Sequence, residues 1–370
     1  MTGACEFDAI VIGGGSAGLA ASIALVEGGV SRVLVVERDN ALGGVLRQCV
    51  HDGFGLHVYG TSLTGPEYAQ RWVDMVNASP VRIACETTVL ATRSLSKDDE
   101  AAGFEVDAIG AALGGHVKLR TKALICATGC RERTRGSLRI PGGRPAGIFS
   151  AGEAQYMVNV ANQMPGTKIA ILGSGDIGLI MARRLTLEGA EVKLVLGQEA
   201  TGLLRNHVNC IQDFDIPIRY GWGLVSIHGF GQLQGITVAP LDGNGEFDLS
   251  RREYMRVNAL LLAVGLVPER EVLAGVSDDA PGLFICGNAR KPHDLVDQVT
   301  CEAIRIGLEA AAYVHESCGG DRSSAGSAVS QDLRRLAALV VDEPKGRMAD
   351  IAPVEDGSVT LACTVCPNGC

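Results

Sequence analysis

Asp8-Ala9-Ile10-Val11-Ile12-Gly13-Gly14-Gly15-Ser16-Ala17-Gly18-Leu19 decides the fold. A short apolar run ends in Gly-x-Gly-x-x-Gly, and the small residues that follow predict a helix from Ala20 to Gly28. A second run, Arg32-Val33-Leu34-Val35-Val36, ends at Glu37, nineteen residues past Gly18. Each part of this strand–turn–helix–strand unit has a physical job. Gly13 permits the tight turn, Gly15 lets backbone approach a pyrophosphate, and Gly18 lets helix and strand pack closely. Ser16 and Ala17 open the helix, where free N–H groups and the positive dipole end suit phosphate. Glu37, followed by Arg38, is placed to accept hydrogen bonds from a ribose 2′-OH. The unit is a dinucleotide cradle.

The same design returns at Lys168-Ile169-Ala170-Ile171-Leu172-Gly173-Ser174-Gly175-Asp176-Ile177-Gly178, with a helix predicted from Leu179 to Glu188 and a strand from Val192 to Leu196. Gly173, Gly175, Asp176, Ile177 and Gly178 are the candidates for a second dinucleotide, NAD(P) in kind, joined by Gly265 at the end of a later apolar run. Here the second strand ends in Leu196-Gly197-Gln198, so the ribose-binding acid is missing and no arginine stands there for a 2′-phosphate. Two readings stand: an altered nicotinamide-dinucleotide site, or a retained fold that takes no cofactor or only AMP-like ligands.

Composition agrees with this architecture. The 370 residues suit two to three domains, and 46% hydrophobic residues with 48 glycines and 4% aromatics suit parallel sheets under helices. A net charge of −9 without any basic block argues against nucleic acid as a partner. The longest apolar run, Ala259 to Val267, is too short for a membrane span. The first strand begins almost at once, with no basic leader, so the expected location is the cytoplasm. Of twelve cysteines nine are scattered through Cys318, and three crowd the last eight residues.

Between the cradles, Gly43-Gly44 opens a loop running through Arg47, Cys49 and His51 to Gly55. After such a second strand, a loop of this kind leads toward the cofactor's reactive ring. Cys49 and His51 are therefore candidate catalytic neighbours; alternatively Cys49 is a packed residue and His51 a cap or surface group. A dithiol centre would need a second cysteine a few residues from Cys49, and none is there. A helix is predicted from Gly65 to Ala78, a hairpin from Phe104 to Leu119 with Gly114-Gly115 near its turn, and a strand ending in Ala127-Thr128-Gly129. The charge run Arg131 to Arg135 reads as a solvated crossover or as a substrate-facing segment. The strand Leu283 to Cys286 ends in Gly287-Asn288, where a polar residue could meet the cofactor's ribityl–phosphate region, and a helix is predicted from about Leu295 to Cys318.

Residues 8–18, 121–129, 168–178, 259–268 and 282–288 resemble, in order, the five signature elements of the two-dinucleotide flavoproteins that include the pyridine nucleotide–disulfide oxidoreductases. The resemblance implies an α/β fold with two Rossmann-like, three-layer dinucleotide-binding domains. An FAD domain (1–150 and 258–318) is split by an NAD(P)-binding-like domain (151–257), then come a linker with a short helix (319–358) and a cysteine tail (359–370). It also implies that FAD lies along Gly13, Gly15, Ser16, Ala17, Gly18, Glu37 and Arg38, beside Gly44 and Val89, and against Ala127, Thr128, Gly129, Gly287 and Asn288. The family's redox-active Cys-x₄-Cys is absent, and Asn288 stands where most relatives have Asp.

A closer likeness lies in residues 43–56, 127–136 and 293–297, which look like a bacterial subgroup accompanying glycerol-3-phosphate-dehydrogenase-like flavoproteins; similar subunits occur in hydrogen cyanide synthase and opine oxidase. This implies an electron-transfer partner of a substrate-oxidising flavoprotein subunit. The terminal Cys363-x₂-Cys366-x₃-Cys370 has three thiolates at iron–sulfur spacing. Three readings stay open: an iron–sulfur cluster with a fourth ligand from elsewhere, a Zn site or mobile dithiol, or a tail with no function. The leading expectation is an FAD-dependent oxidoreductase passing electrons between NAD(P)H and a partner. The alternatives are an electron-transfer or structural subunit without NAD(P)H activity, and a disulfide reductase using the tail thiols.

Overall fold

The computed structural model describes residues 5–95, 103–197, 211–293, 295–319 and 329–339. These fall into two units, the first built from parts of 1–132, 159–162 and 265–343, the second from 133–158 and 163–264. The tail cysteines Cys363, Cys366 and Cys370, and most of the expected linker, lie outside the described residues.

The first unit opens with β1 (Cys5–Ile12), α1 (Ser16–Glu27) and β2 (Val33–Val36). β1 and β2 run parallel with Ile12 opposite Val36. β2 is apolar and buried at every position, the pattern of a parallel strand covered on both faces. α1 has no polar face to offer water: Ala17 through Leu25 are all buried. Next comes α2 (Gly65–Asn77), begun by a capping box in which the Glu67 N–H donates to Thr64 and the Thr64 N–H donates back to Glu67. Its buried stripe is Tyr68, Trp72 and Val76. β3 (Arg82–Ala84), β4 (Thr87–Leu95), β5 (Gly103–Gly110) and β6 (Gly115–Cys126) complete the sheet in the order β3-β2-β1-β6-β5-β4. The expected hairpin is present as β5–β6. β6 is long enough to pair antiparallel with β5 through its first half and parallel with β1 through its second. The chain then forms β7 (Cys130–Glu132).

The second unit holds α3 (Arg135–Leu138), β8 (Ile148–Ser150), α4 (Ala151–Asn159), β9 (Lys168–Leu172), α5 (Asp176–Leu187) and β10 (Glu191–Gly197). It continues through β11 (Ile218–Tyr220), β12 (Trp222–His228), β13 (Gly235–Pro240), β14 (Glu253–Met255) and β15 (Ala259–Leu262). Five strands form a parallel sheet in the order β11-β10-β9-β15-β8, and β12-β13-β14 form an antiparallel meander. One face of the parallel sheet packs on α4 and α5 through Ile169, Ile171, Leu179 and Leu185. The other packs on the meander through Leu194, Leu260, Ile227 and Val238. Two strands that the sequence reading places in the flanking FAD halves belong to this sheet, with Leu260 opposite both Ile148 and Ala170. An apolar strand at a boundary goes to the edge whose backbone donors and acceptors it satisfies, and periodicity does not carry that information.

On returning to the first unit the chain forms β16 (Leu266–Pro268), β17 (Leu283–Ile285), α6 (Val296–Ser317) and α7 (Gln331–Ala338). β16 pairs antiparallel with β7, so the charged run begins as a paired strand, and Arg131 meets Glu271 at 2.6 Å. β17 joins β6 in parallel register. α6 lies directly on α1: a Cβ at Gly307 would fall 2.6 Å from the Ala21 carbonyl, so glycine is what allows the backbones this close. No helix among the described residues is long and apolar enough to cross a membrane.

Candidate functional site: two glycine cradles

The first cradle is assembled where β1 gives way to α1. Gly13 takes φ +108°, and a Cβ on it would lie 2.4 Å from the Ala127 carbonyl oxygen. A Cβ at Gly18 would lie 1.8 Å from the oxygen of Gly13, so helix and turn are in backbone contact. Gly15 differs: a Cβ there would have only the Gly44 Cα near it, at 3.9 Å, which leaves room above the start of α1 for a phosphate to reach the amides. Gly44 (φ +56°) closes that side, with Ser16 and Ala17 forming the first helical turn.

Glu37 is 7% exposed, and its two oxygens are held separately. Oε2 accepts the Gly14 N–H at 2.7 Å and Oε1 accepts the Asp39 N–H at 2.8 Å. The carboxylate is thus fixed at the rim before any ligand arrives, with lone pairs left for hydroxyl donors. Arg38 pairs at the surface with Glu269. Val89 lies on β4 with its side chain in the core beside Phe104 and Val106.

The second wall is the end of β6. Thr128 Oγ1 donates to the Glu269 carbonyl, the Glu269 N–H donates to Gly129 O at 3.0 Å, and Gly129 adopts φ +77° with open space where a Cβ would be. The β7–β16 pair therefore clamps Ala127-Thr128-Gly129 against the cradle. The third wall is the turn after β17. Gly287 (φ +60°) approaches so closely that a Cβ would lie 2.8 Å from that of Ala17. Asn288 Oδ1 accepts the His293 N–H at 3.0 Å.

Behind that turn is a network that motif reading missed. Glu302, 7% exposed, accepts the Gly287 N–H at 3.0 Å and lies 3.2 Å from both His293 Nε2 and Arg290 Nη1. Burial alone would push its carboxyl up; His293, the Gly287 N–H and Arg290 outweigh that and hold it below the usual range. Asp297, 3% exposed in the first turn of α6, accepts the His57 N–H at 2.8 Å and ties the loop 51–63 to that helix. The available signal was an acid inside the buried stripe of α6, between Cys301 and Ala303.

The loop candidates are placed as follows. Cys49 is buried, its Sγ donates to Val45 O at 3.3 Å, and burial pushes its thiol up to about 12. At neutral pH it is a protonated packing group rather than a thiolate. His51 is half-buried, with Nδ1 3.1 Å from Asp52 O and its ring 4.9 Å from that of Phe54. Cys49, Cys85, Cys126, Cys130, Cys286, Cys301 and Cys318 are all free.

In the second cradle, Gly173 has φ +118° and a Cβ on it would lie 2.1 Å from the Ala263 carbonyl. Gly178 backs onto Gly173 O, and Gly175 has nothing within 4 Å of a Cβ position. Asp176 begins α5 and Ile177 packs partly into the core below. Gly265 turns with φ +80° between β15 and β16. At the end of β10, where the first cradle has Glu37, stands Gly197.

The first cradle has an open seat for a pyrophosphate at Gly15, an acid already fixed for a ribose, and close-packed glycine turns at Gly13, Gly18 and Gly287 with open space at Gly129, so its residues could hold FAD. The second has the pyrophosphate seat and lacks the acid.

The chain is similar to known proteins over most of its length. The pyridine nucleotide-disulphide oxidoreductase family matches residues 7–284. Hydrogen cyanide synthase subunit HcnB of Pseudomonas protegens is 26% identical over 283 residues, covering 71% of this chain and 57% of that protein. An opine oxidase subunit of Agrobacterium tumefaciens is 29% identical over 194 residues, 51% of this chain and 36% of that one. The chain therefore spans about three fifths or less of these relatives. Among solved structures, thioredoxin reductase of T. acidophilum has TM-score 0.65 at 18% identity, covering 85% of this chain and 99% of that one. L-proline dehydrogenase from P. horikoshii has TM-score 0.54 at 18% identity, covering 88% and 58%. The two-cradle α/β architecture is thus the Rossmann-like fold of these flavoenzymes, and the chain belongs to the pyridine nucleotide-disulphide oxidoreductase family.

Proposed function

We propose that this chain is the FAD-carrying subunit of a multisubunit oxidoreductase, passing electrons between a nicotinamide dinucleotide and a partner subunit. The observation that carries the reading is the pair of glycine cradles built on one plan, the first with its ribose acid already fixed by two backbone amides. FAD, when bound, supplies the hydride and single-electron chemistry; the protein's part is to bind, orient and exclude water. Gly13, Gly15, Gly18 and the α1 N-terminus would hold the pyrophosphate, Glu37 the adenosine ribose, and the Thr128-Gly129 and Gly287-Asn288 turns the remainder. Gly173, Gly175 and Gly178 would seat the second dinucleotide.

A partner is favoured because the cysteine nearest the glycine loop, Cys49, is held as a buried thiol, which suits packing and not disulfide exchange. The relatives named as subunits of hydrogen cyanide synthase and opine oxidase support the same reading. The partner put forward is a substrate-oxidising flavoprotein, of the glycerol-3-phosphate-dehydrogenase-like kind that the sequence resemblance implies. The test is anaerobic addition of NADH or NADPH to the purified FAD-loaded chain, which is expected to bleach the flavin band. The missing acid at Gly197 favours a second reading, an electron-transfer subunit without NAD(P)H activity. Under it, bleaching occurs only when the partner and its substrate are added.

A further inference from the structure

The cradles repeat with a constant spacing. Gly13, Gly15, Gly18 and the strand-end position 37 recur at 173, 175, 178 and 197. The correspondence extends to hydrogen bonds: the Gly13 N–H donates to Val36 O at 2.8 Å, and the Gly173 N–H to Leu196 O at 2.8 Å. Positions 14, 16, 17 and 37 differ from 174, 176, 177 and 197, and the first and last of these touch each other in each cradle. The first cradle pairs Gly14 with Glu37, and the second pairs Ser174 with Gly197.

In the first cradle the space between the two positions belongs to the strand end. Gly14 offers only its N–H, and Glu37 Oε2 lies 3.0 Å from where a Cβ on Gly14 would be. In the second cradle the same space is filled from the turn. A Cβ on Gly197 would lie 2.2 Å from Ser174 Oγ and 2.6 Å from Ser174 Cβ, with Tyr220 Cδ1 next at 3.3 Å. Ser174 is 6% exposed, so the hydroxymethyl is a packed group and not a rim substituent. Gly197 is a strand residue that does not take positive φ, so its backbone would accept any side chain. What excludes an acid there is Ser174.

We infer that Ser174 sets the nucleotide selectivity of the second cradle, by occupying the space from which a carboxylate at position 197 would read the adenosine ribose. The inference rests on the reading of that cradle as a nicotinamide-dinucleotide site. A carboxylate at this position favours a free ribose 2′-OH and opposes a 2′-phosphate. With Ser174 and Gly197 in place position 197 itself offers the ribose no carboxylate, the dinucleotide is held chiefly through its pyrophosphate, and NAD and NADP forms bind alike.

The experiment compares the FAD-loaded wild type with Ser174→Gly, Gly197→Glu and the double variant. The probes are oxidised NAD and NADP titrated by calorimetry, with thermal unfolding and FAD content measured alongside. Gly197→Glu alone is expected to lower the unfolding midpoint by about 5 °C, because a backbone-anchored side chain is forced onto a packed one. Ser174→Gly is expected to relieve that loss in the double variant. Wild type is expected to bind NAD and NADP within about threefold of each other, and the double variant to prefer NAD by about tenfold, equivalent to about 1.4 kcal/mol. FAD content is expected to stay unchanged throughout. The inference is overturned if Gly197→Glu is as stable as wild type and already selective, or if wild type binds both nucleotides and the double variant gains no preference. Wild type binding neither nucleotide while holding FAD overturns the underlying reading of the cradle instead.

Discussion

Replacing Glu37 by glutamine separates the adenosine end of the first cradle from the rest of it. The carboxylate gives one oxygen to the Gly14 N–H at 2.7 Å and the other to the Asp39 N–H at 2.8 Å, in a site only 7% exposed. Glutamine has one acceptor oxygen, so one of these amides would face an NH₂ group. Leaving a buried donor unsatisfied costs about 1–3 kcal/mol. The ribose hydroxyls would also lose a charged acceptor, worth about 1.5–3 kcal/mol, or roughly 10- to 100-fold in affinity. FMN shares the isoalloxazine and first phosphate of FAD but has no adenosine ribose. Titration of apoprotein with each flavin, followed by fluorescence, is therefore expected to show FAD binding weakened by that factor in Glu37→Gln while FMN binding changes little. Equal loss for both flavins would mean that Glu37 acts only through the fold. No loss for either would refute its assignment to the ribose.

Gly18→Ala places a methyl group 1.8 Å from the Gly13 carbonyl oxygen, so α1 must leave β1; loss of at least about 3 kcal/mol and of bound FAD is expected by thermal unfolding and flavin release. Glu302→Gln keeps the shape of the network behind Gly287 but removes its charge, with an expected cost of about 2 kcal/mol at neutral pH in urea unfolding. Because the folded Glu302 carboxyl is held below the usual range, its contribution is complete above the unfolded value of about 4.3 and is lost as pH falls through the lower folded value. The wild-type advantage over Glu302→Gln is therefore expected to shrink below about pH 4, and an advantage independent of pH would contradict the assignment. Cys49, with its thiol pushed up to about 12, is expected to resist Ellman's reagent at neutral pH until the protein unfolds, whereas exposed Cys318 reacts in the folded state.

Much of the fold was legible because glycine spacing and apolar runs are local signals. Both cradles, the β5–β6 hairpin and α6 stand where the spacing placed them, since Gly13, Gly18, Gly173 and Gly178 are required by backbone contacts that no other residue tolerates. Assigning Ile148–Ser150 and Ala259–Leu262 to a sheet depended on non-local pairing, which no window of sequence contains. The Arg131 run reads from its charges as a solvated crossover or a substrate-facing segment; Arg131, Arg133 and Thr134 are indeed exposed, and what the charges did not tell is that the backbone pairs with β16. The site was less legible than the fold. Glu302 does not touch a glycine motif in sequence, and its partners Gly287, Arg290 and His293 are brought to it by the turn before α6. The missing acid at Gly197 was visible in the sequence, whereas the reason, a serine 23 residues earlier in the same space, required coordinates.

The central claim is that the first cradle holds FAD. Its most direct test is the flavin released by denaturing the purified, gel-filtered chain, with apoprotein supplied with FAD as the companion sample. One FAD per chain, carried through gel filtration in either sample, is the result expected here. A folded chain that emerges colourless and takes up no FAD when supplied would contradict it.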